Sequence, residues 1–139
     1  MEITANALQT VGANQNVLFT ETAVCGNSSI IYREGSGLVT LRGITNQCRA
    51  RFKVFFSGNV AVPTGGTAGA ISLALSLDGE PVPSTTMIVT PAAANEFFNV
   101  ASGIYINVPA GCCAKVAVTN TSTQSISVQN ANLIIERIA

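Results

Sequence analysis

The side chains with reactive chemistry are few, and four of them are cysteines: Cys25, Cys48, Cys112 and Cys113. Two of these are adjacent, and neighbouring cysteines rarely bridge each other because the ring is strained. Zinc sites commonly space paired ligands by two to four residues, and this chain has no histidine to complete a mixed set. The sulfur atoms therefore read as reduced thiols filling small apolar sites, or as partners in a disulfide within a subunit or across an interface. No metal and no cofactor is expected. The missing histidine also removes the commonest general base and the usual activator of a serine or cysteine nucleophile. A cysteine nucleophile without histidine needs a strong local positive field. Lys115 follows Cys113 closely, but the two share a strand face only if the alternation holds. The chain is not expected to be an enzyme, and no catalytic residue is assigned.

Other motifs are equally sparse. Asp78 and Glu80 are the closely spaced carboxylates. With turn carbonyls they could help hold calcium, but a solvated hairpin tip explains them as well. Gly65-Gly66 with Gly69 lacks the following Lys-Ser or Lys-Thr of a phosphate loop and reads as a flexible loop. Asn27-Ser28-Ser29 and Asn120-Thr121-Ser122 match glycosylation sequons. Without a visible secretory signal they read as incidental.

Charge points away from nucleic acid. Seven basic residues balance seven acidic ones, and the densest positive cluster is Arg49, Arg51 and Lys53. Domains that neutralise a phosphate backbone are far more basic. Charged residues make up 10% of the chain against a usual ~25%. The polar remainder is mostly Ser, Thr, Asn, Gln and Gly, a short-chained surface that brings few ions to desolvate on association. That suits packing against copies of the same chain. No apolar run approaches the ~20 residues of a membrane helix, so no membrane insertion is expected. No basic and then apolar leader follows Met1. The chain is expected to be made in the cytoplasm and to reach a surface or particle without a cleaved signal peptide.

The elements that must position these residues are strands. Cys48, Ala50, Phe52, Val54 and Phe56 alternate with Arg49, Arg51 and Lys53, the period of a strand with one buried and one wetter face. Phe55 breaks that pattern with an aromatic on the polar side, which reads as a subunit contact or as cover for a loop. Ile71, Leu73, Leu75 and Leu77 alternate with Ala70, Ser72, Ala74 and Ser76, a flat small-residue face that a neighbouring subunit could approach. Asp78-Gly79 then predicts a tight hairpin turn, and Val82 to Val89 a returning edge strand with its prolines confined to the start. Phe97 to Val108 reads as one long strand or a pair, closed by Pro109-Ala110-Gly111. Lys115 to Thr119 and Ser125 to Val128 read as a hairpin, and Leu133 to Ile138 as the last strand. Weaker strands fall around Val17 to Thr22, Ile30 to Arg33 and Leu38 to Leu41. About eight to ten short strands with Gly, Pro and Asn turns predict an all-β sandwich or jelly roll. No linker interrupts residues 1–139, which read as a single domain.

Several stretches carry a resemblance. They are Gly69-Ala70-Ile71-Ser72-Leu73-Ala74-Leu75, the hairpin Asp78-Gly79-Glu80-Pro81-Val82-Pro83 with Ser84-Thr85-Thr86, and Ile106-Asn107-Val108-Pro109-Ala110-Gly111. Val118-Thr119-Asn120-Thr121-Ser122 and Asn130-Ala131-Asn132-Leu133-Ile134-Ile135 complete the set. Together they resemble the C-terminal head domain of bacterial collagen-like glycoproteins of the spore exosporium, a tumour-necrosis-factor-like jelly roll. Leu8-Gln9-Thr10-Val11 and Asn16-Val17-Leu18-Phe19 resemble that family's opening strand. The resemblance implies a homotrimer packed through aromatic and aliphatic side chains of one sheet, and implies no catalytic residues. The sequence departs from the family in having no Gly-X-Y stalk, and in Cys112-Cys113 after Pro-Ala-Gly where an acidic residue is usual. Similar domains also occur in phage virions as head decorations, collars or fibre tips.

The expected function is that of a non-catalytic structural protein of a surface assembly, most of all a phage virion component working as a homotrimer. The alternatives are a spore-exosporium or bacterial surface head, and a receptor- or glycan-binding module, since jelly rolls also serve as lectins. The expected partners are the chain itself and other particle or surface proteins. Phe55, Leu133, Ile135 and Ile138 are the residues expected at the trimer interface.

Overall fold

The computed structural model describes residues 1–139 as two six-stranded antiparallel sheets with no α-helix. The strands are β1 (Glu2–Ala5), β2 (Gln9–Val11), β3 (Glu21–Val24), β4 (Ile30–Tyr32), β5 (Val39–Arg42), β6 (Arg49–Ala61), β7 (Ile71–Leu77), β8 (Glu80–Pro81), β9 (Met87–Val89), β10 (Phe98–Pro109), β11 (Cys113–Asn120) and β12 (Ile126–Arg137). The first sheet runs β10-β6-β12-β1-β3, with β2 also pairing β12; the second runs β4-β5-β11-β7-β8, with β9 also pairing β7. Chain neighbours that sit in different sheets are the mark of a jelly roll.

The alternation anticipated in the sequence sets the inner faces. Phe52, Val54 and Phe56 of β6 meet Ile71, Leu73 and Leu75 of β7 and Leu133 and Ile135 of β12 in one cluster of 29 buried residues. Phe19 packs edge-on against Phe56, with ring centroids 6.4 Å apart, a geometry the aromatic quadrupole favours. Asn120 is a polar exception, fully buried. Its amide donates to the carbonyls of Val11, Gly12 and Gln124, and its oxygen accepts from the Ser122 N–H. A buried amide satisfied this completely costs little, and it ties the β11–β12 connection to the end of β2.

The tight turn after β7 forms as expected, with Asp78 at φ 52° and Gly79 at φ 89°, the two positive values a type I′ turn requires. Two other expectations are corrected. Val82 to Val89 is not a continuous returning strand: a 3₁₀ turn at Pro83–Thr85 separates β8 from β9. Thr85 causes the interruption by turning inward, where its Oγ1 accepts the Leu75 N–H at 3.0 Å and replaces a strand partner. Nor do Lys115 to Thr119 and Ser125 to Val128 form a hairpin, because β11 and β12 belong to different sheets. Ile126 to Val128 instead joins Leu133 to Arg137 in the long β12, interrupted by a register shift between Gln129 and Asn132 with Asn130 at φ 54°. Such a bulge admits an extra residue and re-aims the side chains beyond it.

Candidate functional site

The outward face of the first sheet is the site the strands build. Register places Gly103, Phe55, Ile134, Glu2 and Val24 in one row across β10, β6, β12, β1 and β3. Phe55 and Ile134 are therefore direct cross-strand neighbours, and cross-strand pairs are where side chains on a sheet meet. Gly103 gives the Phe55 ring its place: a Cβ there would sit 3.1 Å from the ring. The next row holds Tyr105, Lys53 and Glu136; on the other side come Ala101, Ser57, Asn132, Thr4 and Glu21. The Asn132 amide donates to the Glu2 carboxylate within this face. Lys53, Phe55, Ile134 and Glu136 line a shallow depression of about 300 Å³.

Phe55 is 38% exposed, Ile134 39% and Tyr105 64%, so apolar area stands in water beside a rim of Lys53, the carboxylates of Glu2, Glu21 and Glu136, and small polar groups. Such an arrangement resembles the apolar centre and polar edge of a protein–protein contact.

The interface residues expected from sequence divide. Phe55 faces outward as read. Leu133 and Ile135 are corrected: both are 0% exposed within the single chain and spend their side chains on its own core. The apolar run Leu133-Ile134-Ile135 hides its parity, and the bulge at Asn130 fixes it with Ile134 outward. Ile138 is exposed but lies past β12, its N–H bonded to the Arg51 carbonyl, away from the Phe55–Ile134 pair. Sequence reasoning missed Ile134 and Val24, and did not draw Tyr105 into the site. Tyr105 was readable as outward from its alternation with Ile104 and Ile106. Its place beside Lys53 depends on pairing that one sequence does not reveal.

The small-residue face of β7 behaves differently from what was expected. Ala74 and Ser76 are already buried within the chain. Ser72 Oγ lies 2.6 Å from Thr121 Oγ1, and Ser76 Oγ 2.5 Å from Thr119 Oγ1, whose hydroxyl in turn donates to Asn16 Oδ1. These hydroxyls satisfy one another, so the face presents little for a partner to bind. Asp78 is likewise engaged within the chain, where its Oδ1 accepts the Lys115 N–H at 2.9 Å. No group of three or more His, Cys, Asp or Glu side chains is placed to hold a metal ion. The four cysteines are free and exposed rather than filling apolar sites.

No protein-family model matches the sequence, and no curated protein matches it. Solved structures do. The globular domain of zebrafish complement 1qA protein superposes with a TM-score of 0.63 at 15% identity, covering 96% of this chain and 93% of that one. Murine APRIL superposes with a TM-score of 0.58 at 8% identity, covering 95% of this chain and 96% of that one. At such identities what is shared is the architecture, and the chain has the tumour-necrosis-factor-like jelly-roll fold.

Proposed function

We propose that this chain is a non-catalytic structural head of a surface assembly and that it works as a homotrimer, closed through the outward face of the first sheet. The observation that carries the reading is the row holding Phe55 and Ile134, two large apolar side chains left about 38–39% exposed at the centre of the face, with charged residues at its rim. Covering them gains about 25 cal/mol for each Å² of apolar surface removed from water. The jelly-roll fold shared with the complement and APRIL domains fits a head domain, and the resemblance of the sequence to exosporium heads implies a homotrimer packed through one sheet. Light scattering on the purified chain tests it: three subunits per particle are expected, and a stable monomer at micromolar concentration overturns it.

The setting we favour is a phage virion, with the trimer as capsid decoration, collar or fibre component. The scarcity of charge in the sequence, which suits dense packing among particle proteins, supports this setting. The exosporium reading keeps the sequence resemblance in its favour. Neighbouring genes separate the two: portal, capsid or tail genes support the virion, and sporulation or cell-wall genes in their place support the spore.

A further inference from the structure

The margins of the two sheets are unequal. β3 has 4 residues, β4 3, β9 3 and β8 2, whereas β10 has 12 and pairs with β6 on one side. From Phe98 to Val108 β10 carries no charge and no proline, and its register with β6 has no bulge. Those are the devices that ordinarily blunt an open edge, together with shortness. β10 uses none of them along this stretch.

Parity tells which of its backbone groups are bare. The Arg51 N–H donates to the Ala139 oxygen, and the Arg51 carbonyl accepts the Ile138 N–H. Arg51 thus spends both groups on the β12 side. Its register partner Asn107 must then turn both of its own groups away from β6. The alternation carries this to Tyr105, Gly103, Ala101 and Asn99, all exposed. No strand and no loop of the chain pairs with this side of β10.

The outward face of the same sheet holds what those groups need. Around Phe55 and Ile134 stand the carboxylates of Glu2, Glu21 and Glu136 and the ammonium of Lys53. Carboxylates accept and an ammonium donates, so this rim has acceptors for bare N–H groups and a donor for bare carbonyls. A contact about a threefold axis joins unlike surfaces of successive copies, whereas a twofold contact joins like ones. A homotrimer closed through the Phe55–Ile134 row therefore needs a second, complementary surface on the same chain. The β3 margin brings Glu21 and would set carboxylate against carboxylate. The β10 margin brings bare donors, no charge and the Tyr105 ring, 64% exposed.

We infer that the outer edge of β10 lies across the Phe55–Ile134 row of the next copy, its bare N–H groups donating to the carboxylates of that copy's rim and its bare carbonyls accepting from Lys53. The inference rests on the homotrimer reading and adds which part of the second copy covers the row. Hydrogen bonds to a carboxylate are shorter and stronger than neutral ones. The apolar row is thereby covered without leaving its rim charges buried and unpaired, the costly alternative.

Hydrogen exchange tests the contact with β10 unaltered. Light scattering comes first: a monomeric wild type removes the homotrimer reading and this inference with it. Given three subunits, amide exchange is compared between the wild-type trimer and monomeric Phe55→Asp. The amides of Ala101, Gly103 and Tyr105 should exchange at least about 10-fold more slowly in the trimer, the scale of one charge-assisted hydrogen bond. Those of Val100, Ser102, Ile104 and Ile106, turned toward β6, should stay protected in both. Equal rates for Ala101, Gly103 and Tyr105 in the two forms overturn the inference and leave the homotrimer standing. Glu2→Gln/Glu136→Gln should keep the β spectrum and raise the concentration of half-dissociation by at least about 10-fold; an unchanged value overturns the carboxylate pairing. Proline is tolerated where the lost N–H faced out of an edge, so Ala101→Pro should fold and lose the trimer. A folded Ala101→Pro that assembles like wild type overturns the edge contact. The exchange comparison needs no change in β10, so a proline variant that fails to fold leaves it decisive.

Discussion

The two sheets turn unlike faces outward. On the second sheet, Ser72, Ser76, Thr119 and Thr121 pair their hydroxyls with one another, and Ala74 and Ser76 are buried within the chain. On the first, Phe55, Ile134 and Tyr105 stand partly in water with no side chain of the same chain to cover them fully. The hydroxyl pairs of the second sheet are uncharged, whereas Glu2, Glu21, Lys53 and Glu136 surround the apolar pair of the first. What distinguishes them is whether their free energy is already settled inside one subunit. Low charge alone therefore does not mark an interface; unsatisfied apolar area on a flat sheet does.

Substitutions sharpen that contrast. The largest effect is expected at Ile135, where an aspartate would bury an unpaired carboxylate in the core. Ile135→Asp should remove more than about 4 kcal/mol of stability and leave little folded protein by circular dichroism. Ile134→Asp, one residue away on the same strand, should keep the β spectrum and lose the trimer. Similar spectra for the two would show that the parity of β12 is misassigned.

Next comes Phe55→Asp, expected to weaken association by at least about 2 kcal/mol, the scale of an interface anchor, with a smaller change in thermal unfolding of the subunit. Equal loss of folding and assembly would refute the contact. On the opposite face, Ser76→Ala should cost about 1 kcal/mol through the lost hydroxyl pair and leave the particle mass unchanged in light scattering. A dissociated Ser76→Ala would reverse the roles of the two sheets.

The smallest effect concerns Tyr32, whose hydroxyl donates to the Phe19 carbonyl. Burial, with the Glu34 charge adding to it, holds its pKa above the ordinary value, against an opposing hydrogen bond from the Gly35 backbone. Because the folded value is the higher one, the neutral phenol's contribution is complete below the ordinary value. It is lost as pH rises through the folded value. Tyr32→Phe should cost about 1 kcal/mol near neutrality, and unfolding midpoints of the two proteins should converge in alkali.

Much of this was legible beforehand. The alternation of β6 and β7 gave their inner faces, and Asp78-Gly79 gave its turn, because period and turn chemistry are local properties. Phe55 was visible as an aromatic at a polar position. Its partner Ile134 was not, since Leu133-Ile134-Ile135 is apolar throughout and only the bulge at Asn130 decides which of them face the core. The separation of β11 from β12 was equally hidden. Their spacing suits a hairpin, and the preference for different sheets arises from long-range pairing with β7 and β6. Thr85 escaped notice because its role, replacing a strand partner for Leu75, exists only once the chain has folded over.

The enclosed amide of Asn120 has a practical corollary. It begins an Asn-Thr-Ser sequon, the tripeptide that secretory glycosylation recognises. In a eukaryotic secretion host the modifying enzyme would meet this tripeptide on the nascent, unfolded polypeptide. A sugar attached there has no room in the finished sandwich, so each modified copy would be barred from maturing. Production in bacteria, or an Asn120-sparing change such as Ser122→Ala, avoids that fate.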